Sequence, residues 1–534
     1  MKRTFDKLSQ DKFDVIVIGG GVIGTGIARD AAMRGLKTIL LEKEDFGYGT
    51  TSRSTRLIHG GLRYLSHLDF KLVRQDLRER EVLLKIAPHL VQPIAFLLPL
   101  NRLSQRFIMS IGMRLYEQLS SGKSVPSYRH LSRKETIAAE PELNPDCLTG
   151  SYQFYDCQVA FPERLCLENV LSAHEHGALL INHAEVIGIT KEDNTVNKIQ
   201  VKDCLSKEAR EISGRVIINV AGQWANNILN MVIKFPINTI RTTMGIHLVT
   251  TKISDNAIVL FAKSDGRLLF VIPWHGYSLI GTTDTEYSGD LETMYAVSDD
   301  VTYLFQETRN VFPRLKKEDI HYTFAGLRAL VGSHKQRVSN ISRSHKLVDH
   351  ESIDGVNGFI SVLGGKMTGY RSIAEEAVDL VCTKLSKPVA CTTAQTTLPG
   401  APGIDNEAIE QMTKDSGLSP DTLNHLNSLY GRRMKEVIDL AGTDPRGKEA
   451  VCPHSKDIMA QVWHAVQEES CMTVSDFMLR RGTVGLSSCQ GLDAVETIGL
   501  EMGRVLGWSI GEWKSQVEDY RSIVDLRTRF KGLN

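Results

Sequence analysis

The stretch from Phe13 to Glu42 constrains this chain more than any other. Val15, Ile16, Val17 and Ile18 form an unbroken apolar run, as in a parallel strand buried on both faces. The turn GGGVIG follows, and Ile23, Ile27, Ala28, Ala31 and Ala32 then recur with helical spacing up to Gly35, which stands where a helix C-cap would. A second strand ends in Glu42. This is the order of a β-α-β unit that binds a dinucleotide. Gly19 permits the tight turn, Gly21 lets a pyrophosphate approach the backbone, Gly24 allows close helix–strand packing, and the helix N-terminus faces the negative charge. Glu42 lies 18 residues beyond Gly24, close to the roughly 20-residue spacing at which a carboxylate reaches a ribose hydroxyl. A phosphorylated adenosine ribose would be repelled there. A glycine turn alone can serve mere chain reversal; the flanking strand and helix give this one a ligand.

Past this unit the regular alternation stops. GYGTTSRSTRLIHGGLRY is long, polar and glycine-containing, and reads as a loop wrapped around a ligand. Short β-branched runs return from Ile181 to Ala221, where RVIINVAGQWA predicts a buried strand at Val216–Val220 and Gly222 admits a close backbone approach. Between Arg241 and Asp284 the strings GIHLVTT, AIVLFA, RLLFVIPW and YSLIGTTD read as an antiparallel sheet in a different domain. GFISVL, then Gly364–Gly365 and a helix beginning near Thr368, returns the chain to the nucleotide domain, which is therefore discontinuous. TTAQTTLPGAPG marks a boundary. Beyond it the chain reads helical: Ser419–Pro420 suits N-cap and N1, and Thr473 with Asp476 suits a capping box.

The length of 534 residues suggests about two to four domains. Lys plus Arg and Asp plus Glu stand at 63 each, so no global field argues for nucleic acid or an acidic partner. Nine cysteines with no C-x-x-C and no zinc-like spacing read as reduced, mostly buried thiols, and no metal site is expected. The N-terminal MKRTFDKLSQDKF lacks an apolar core and predicts no secretory signal. Leu83–Leu100 is the most apolar long stretch, but Lys85, His89, Gln92 and its prolines argue against a membrane span.

Several strings together resemble the FAD-dependent, quinone-linked glycerol-3-phosphate dehydrogenases: VIGGGVIGTGIARDAAMRGL, STRLIHGGLRYL, FVIPW with IGTTD, FAGLRAL, and VLGGKMTGYR. The resemblance implies an α/β fold with a discontinuous FAD-binding Rossmann-like domain (1–90, 150–230 and 350–390), an antiparallel-sheet substrate domain (91–149 and 231–349) and a C-terminal helical domain (400–534). It implies non-covalent FAD, oxidation of sn-glycerol 3-phosphate to dihydroxyacetone phosphate by hydride transfer to flavin N5, and electron delivery to a membrane quinone. It carries over Arg63, Tyr64, Arg328, Arg343 and Lys366 as substrate residues, with Arg328 and Lys366 also at the reacting centre.

Such cations suit a phosphate, because charge-assisted hydrogen bonds contribute roughly 1.5 to 3 kcal/mol each in a dry site. Arg328 and Lys366 both occur in glycine-containing turns after predicted strands, where an open sheet places its ligands. His247 is the leading candidate base, expected to titrate near working pH. His59 is its competitor and, preceding the turn Gly60–Gly61, is expected to pack against the flavin. Thr50, Thr51 and Ser52 would bond the pyrophosphate or flavin, or simply form turns. Gly365, Lys366, Met367 and Thr368 would meet the flavin edge, with the helix dipole favouring its anionic reduced form. The sequence departs from the family pattern at Met244–Gly245–Ile246, Ala329 and Gly369.

Quinone reduction requires access to lipid, and the resemblance implies a cytoplasmic protein held peripherally on the cytoplasmic membrane, with room for a homodimer. NRLSQRFIMSIGMRLYEQL, residues 101–119, has the composition of a basic amphipathic helix lying among headgroups, and equally that of a helix packing its stripe on the core. An oxygen-using oxidase that releases hydrogen peroxide and a non-catalytic flavin-binding assembly protein are the competing functional classes; the second would not need the phosphate-binding cations. Arg480–Arg481 is expected to be a solvated pair complementing a helix dipole.

Overall fold

The computed structural model describes residues 1–8, 12–61, 69–120, 122–236, 239–331 and 344–532. Arg63, Tyr64 and Arg343 lie outside the described residues. The opening apolar run is the strand Lys12–Ile18, flanked in parallel by Thr38–Leu41 and Ala209–Asn219. Leu179–Ile181 and Phe359–Leu363 extend the sheet in parallel on its two sides. Five strands drawn from three blocks of the chain, 12–41, 179–219 and 359–363, thus build its centre, a discontinuous arrangement. Val15, Val17, Ile218 and Ile360 pack under the helices Val22–Met33, Pro162–Glu175 and Tyr370–Leu385. Ile16, Ile39, Ile217 and Phe359 pack on the opposite face, against the antiparallel pair Ala184–Glu192 and Thr195–Asp203 and the helix Ala225–Val232. Burial on both faces is the physical reason these strands carry no alternating polar residues.

Among the described residues the strands form two sheets, of eight and ten strands. At one edge of the second lies the antiparallel pair Ile320–Val331 and Ile240–Thr251, followed by Tyr277–Gly281, Leu268–Trp274 and Ala257–Phe261. It is not wholly antiparallel as expected, because Ala257–Phe261 pairs in parallel with Val91–Leu100. Leu57–Ile58 and Gly150–Val159, inside blocks 1–90 and 150–230, also belong to this sheet. Local pattern announces a strand, but the partner is chosen by non-local pairing and burial.

The C-terminal region is helical. Ser419 caps Pro420–Tyr430 with Pro420 at its first position, and Thr473 and Asp476 form the expected capping box. Arg480 and Arg481 depart from expectation: a π-helical turn, Phe477–Arg481, buries both. Asp45, just past the second strand of the nucleotide unit, receives Arg480 Nε at 2.7 Å and Arg481 Nη1 and Nη2 at 2.6 and 2.9 Å. Asp476 receives Arg480 Nη2 at 2.7 Å and lies 2.9 Å from His183 Nε2. Arg164 and Glu469 make a second buried bidentate pair at 2.7 and 2.9 Å. Sequence periodicity places Arg480–Arg481 near a helix end but cannot see the carboxylate some 435 residues away.

Removing one partner of such a network strands a buried charge, at a cost of about 3–5 kcal/mol. Asp45→Ala is therefore expected to move the first chemical-denaturation transition down by that amount, whereas Glu468→Ala, in a half-exposed ion pair with the N-terminus, should shift it by less than about 1 kcal/mol.

Candidate active site

The strand Lys12–Ile18 delivers the glycine turn to the edge of a cavity of about 400 Å³. Gly19 has φ +117°, and a Cβ there would press into the Val220 carbonyl; one on Gly24 would overlap the Gly19 carbonyl oxygen. Side chains at these positions would push the turn off the sheet. The first amide of the helix, Val22 N, donates to Thr51 Oγ1 at 3.1 Å. Glu42 accepts from Gly20 N at 2.6 Å and from Glu44 N at 2.8 Å. Burial pushes its carboxyl up to about 7 against the lowering effect of those amides. A glycine cradle, a helix N-terminus and an acid at the end of the second strand fit the pyrophosphate and adenosine ribose of FAD.

The same cavity is lined by Gly21, Thr50, His59, Gly222, Gly365 and Met367, and by His247, Arg328, Lys366 and Thr368. Thr50 donates to the Leu327 carbonyl at 2.6 Å, holding its loop on the second sheet. Ser52 and Gly60 are not on the wall: Ser52 Oγ donates to the Tyr48 carbonyl at 2.9 Å, and Gly60 N donates to Tyr116 Oη at 3.0 Å. Gly61 lines a smaller cavity of about 110 Å³, which shares Thr55, His59 and Arg328 with the large one. Thr368 does not start a helix. The helix begins at Tyr370 with Gly369 as N-cap, and the Thr368 hydroxyl instead accepts from His59 N at 3.1 Å. The wall of the cavity recruits that hydroxyl before the helix can.

Three charged or titratable side chains line the same cavity as the glycine turn. Arg328, on Ile320–Val331, sends Nη1 to Asp284 Oδ1 at 3.1 Å and Nη2 to Thr282 Oγ1 at 2.9 Å. Its guanidinium occupies the space over Gly245, where any Cβ would overlap it. Lys366 Nζ lies 2.7 Å from Asp76 Oδ2, and burial raises the Asp76 carboxyl to about 6 despite that ammonium. His247, on Ile240–Thr251, stacks on Phe324 at 5.0 Å, and its Nε2 lies 3.0 Å from Thr55 Oγ1. It does not titrate near working pH as expected. Full burial, followed by the positive charges of Arg328 and Arg56, drives its pKa down to about 3.

Asp76, Asp284, Thr55 and Thr282 are absent from the residues read out of the sequence, and Gly245 enters there only as a departure from the family pattern. Asp284 and Thr282 lie in the IGTTD string and Gly245 beside the candidate His247, so their signals were present. Asp76 sits in a helix so rich in charge, RQDLRERE, that it reads as a solvated face.

This fold and cavity define an FAD-dependent oxidoreductase. Residues 14–371 match the FAD dependent oxidoreductase family, and residues 391–512 match the C-terminal domain of alpha-glycerophosphate oxidase. The glycerol-3-phosphate dehydrogenase of Synechocystis is 38% identical, over 98% of this chain and 98% of its own. The aerobic glycerol-3-phosphate dehydrogenase of Staphylococcus saprophyticus is 33% identical over 97% of this chain and 95% of its own. The X-ray structure of the glycerol-3-phosphate dehydrogenase from Bacillus halodurans complexed with FAD matches with a TM-score of 0.80 at 26% identity, covering 98% of this chain and 96% of that one. The chain belongs to the FAD-dependent glycerol-3-phosphate dehydrogenase family, and its cofactor is FAD.

Gly245→Ala separates the pocket from the cofactor cradle. The guanidinium is the end of a flexible side chain and can retreat, so the variant should fold and retain FAD while its KM for the phosphorylated substrate rises by about tenfold or more, roughly 1.4 kcal/mol. Steady-state kinetics beside the flavin absorbance ratio reads both.

Proposed function

We propose that this protein oxidises sn-glycerol 3-phosphate to dihydroxyacetone phosphate and passes the electrons to a membrane quinone. The observation that carries this reading is that Arg328, Lys366 and His247 line the cavity that also holds the glycine turn. FAD bound there supplies the hydride acceptor, flavin N5. Arg328 and Lys366 bind the phosphate, already oriented by Asp284, Thr282 and Asp76. Two charge-assisted contacts of roughly 1.5 to 3 kcal/mol each discriminate strongly against unphosphorylated glycerol. The hydroxyl proton passes through Thr55, which lines the cavity, to His247 Nε2. A dianionic substrate offsets the positive charge of Arg328, one of the causes that keep the imidazole so weakly basic, and so raises its basicity when it is needed.

Arg328→Ala and Lys366→Ala are each expected to raise KM for glycerol 3-phosphate at least about tenfold, roughly 1.4 kcal/mol or more, with normal FAD content. Anaerobic addition of glycerol 3-phosphate should bleach the flavin spectrum, and glycerol should not. Bleaching by both, or unchanged KM in both variants, removes the phosphate pocket from this position.

For electron delivery we propose that the helix Leu103–Leu119 lies on the cytoplasmic face of the membrane. Phe107, Ile108 and Ile111 are 72%, 63% and 55% exposed, beside exposed Arg106 and Arg114. A solvated apolar cluster with flanking cations suits a headgroup layer. Among the described residues no helix is long and apolar enough to cross a membrane. The double variant Phe107→Glu with Ile111→Glu should leave the pellet in vesicle sedimentation while keeping dye-linked activity; unchanged sedimentation excludes this helix. The oxidase named in the second family match favours molecular oxygen as the competing acceptor, and peroxide released per substrate oxidised separates the two.

A further inference from the structure

Outside the flavin cavity the described residues contain two tight groups of metal-ligand atoms, one of Asp45, His183 and Asp476 and one of Cys452, Cys489 and Asp493. The first is already neutralised by Arg480 and Arg481. The second has no such partner: none of the ion pairs among the described residues involves Asp493. Cys452 follows the turn Pro445–Lys448, and Asp493 precedes the helix Val495–Leu506. The two cysteines stand 37 residues apart, a spacing that conceals them in the sequence.

The three groups form a nearly equilateral triangle. The two sulfurs are 3.6 Å apart, and Asp493 Oδ1 is 3.3 Å from each of them. Tetrahedral zinc, with Zn–S of about 2.3 Å and Zn–O of about 2.0 Å, has S···S and S···O edges of roughly 3.8 and 3.5 Å. A second observation is independent of that spacing. Each sulfur accepts the backbone amide two residues ahead, His454 N to Cys452 Sγ and Gly491 N to Cys489 Sγ, both at 3.3 Å. Amides that donate to both sulfurs fix the direction of each, as outer-shell donors do for metal-bound sulfur.

We infer that Cys452, Cys489 and Asp493 bind a zinc ion, with the two thiol protons released to solvent and the fourth position left to water. Asp493 is exposed and Cys489 partly so, which gives the ion a way in. Thiolate sulfur selects zinc over the hard cations magnesium and calcium. The site lies beside a loop that packs on the substrate sheet, where Ser488 N donates to Tyr277 Oη at 2.8 Å and Tyr322 Oη donates to the Leu486 carbonyl at 2.7 Å. Zinc here ties Cys452 to the 486–493 loop that packs on the second sheet, and stabilises the folded chain by mass action.

The test uses the full-length, FAD-loaded protein, reduced, exposed to zinc and desalted, with metal content and thermal midpoint as readouts. Zinc should be retained and should raise the midpoint. Cys489→Ser and Asp493→Asn should each weaken zinc binding at least about tenfold, with flavin content and dehydrogenase rate unaltered, while Cys204→Ser should behave as the parent. Absence of retained zinc in the reduced parent overturns the site. So does zinc binding that survives in both Cys489→Ser and Asp493→Asn, or a Cys452–Cys489 disulfide in a protein that binds no zinc once reduced.

Discussion

The architecture turns on one carboxylate. Asp45 sits three residues beyond Glu42 and takes four hydrogen bonds, two from Arg481, one from Arg480 and one from Asn182 Nδ2 at 2.8 Å. All four donors are buried, so water cannot substitute for any of them. The net contribution of a buried ion cluster to stability is small, because desolvation offsets most of the attraction. Its effect is on specificity: displacing the helical region from the nucleotide unit would leave these buried charges unmatched. Two residues on, Gly47 N donates to the Gly20 carbonyl at 2.9 Å. The docking of the C-terminal region and the shape of the pyrophosphate turn are therefore fixed by the same short segment, 42–47.

The nucleotide unit was legible because its signals are local. A doubly buried parallel strand must be uniformly apolar, and a turn packed against a neighbouring strand must lack Cβ atoms; both conditions are written in consecutive residues. Arg328 and Lys366 were legible through the strings around them. The roles of Thr368, Arg480 and Arg481 were misread because they depend on partners far away in the chain: His59 for the first, Asp45 for the other two. His247 was readable as a residue but not as a titrating group. Its depressed pKa is a property of enclosure and of Arg328 and Arg56, none of which sits beside it in sequence. The membership of Gly150–Val159 in the second sheet escaped for the same reason.

The cavity's electrostatics follow from how its cations are held. Arg328 and Lys366 are not loose counter-charges; each is oriented by a carboxylate, Asp284 and Asp76. Before substrate arrives these pairs limit the cost of keeping positive charge in a partly buried site. Under the proposed function the carboxylates keep the donors directed as a phosphate binds, so little side-chain freedom would be lost. Burial raises the Asp76 carboxyl only to about 6, so at neutral pH it remains an anion that holds Lys366.

Tyr116 connects this interior to the exposed helix. Its hydroxyl donates to Asp156 Oδ2 at 2.7 Å and accepts Gly60 N at 3.0 Å. A phenol can do both only while protonated, and burial, followed by the charge of Asp156, holds its pKa well above the ordinary value. The Tyr116 hydroxyl therefore keeps its proton throughout the working range. Asp156 is itself held by Arg80 Nη1 at 2.6 Å, so the chain of contacts from the helix to the turn after His59 is made of buried, directional bonds. Phe107, Ile108 and Ile111 lie on the solvent side of the helix whose buried side carries Tyr116. The exposed apolar cluster and the turn after His59 are thus joined through one buried side chain, Tyr116, so the membrane contact proposed for this helix would rest on the face opposite that joint.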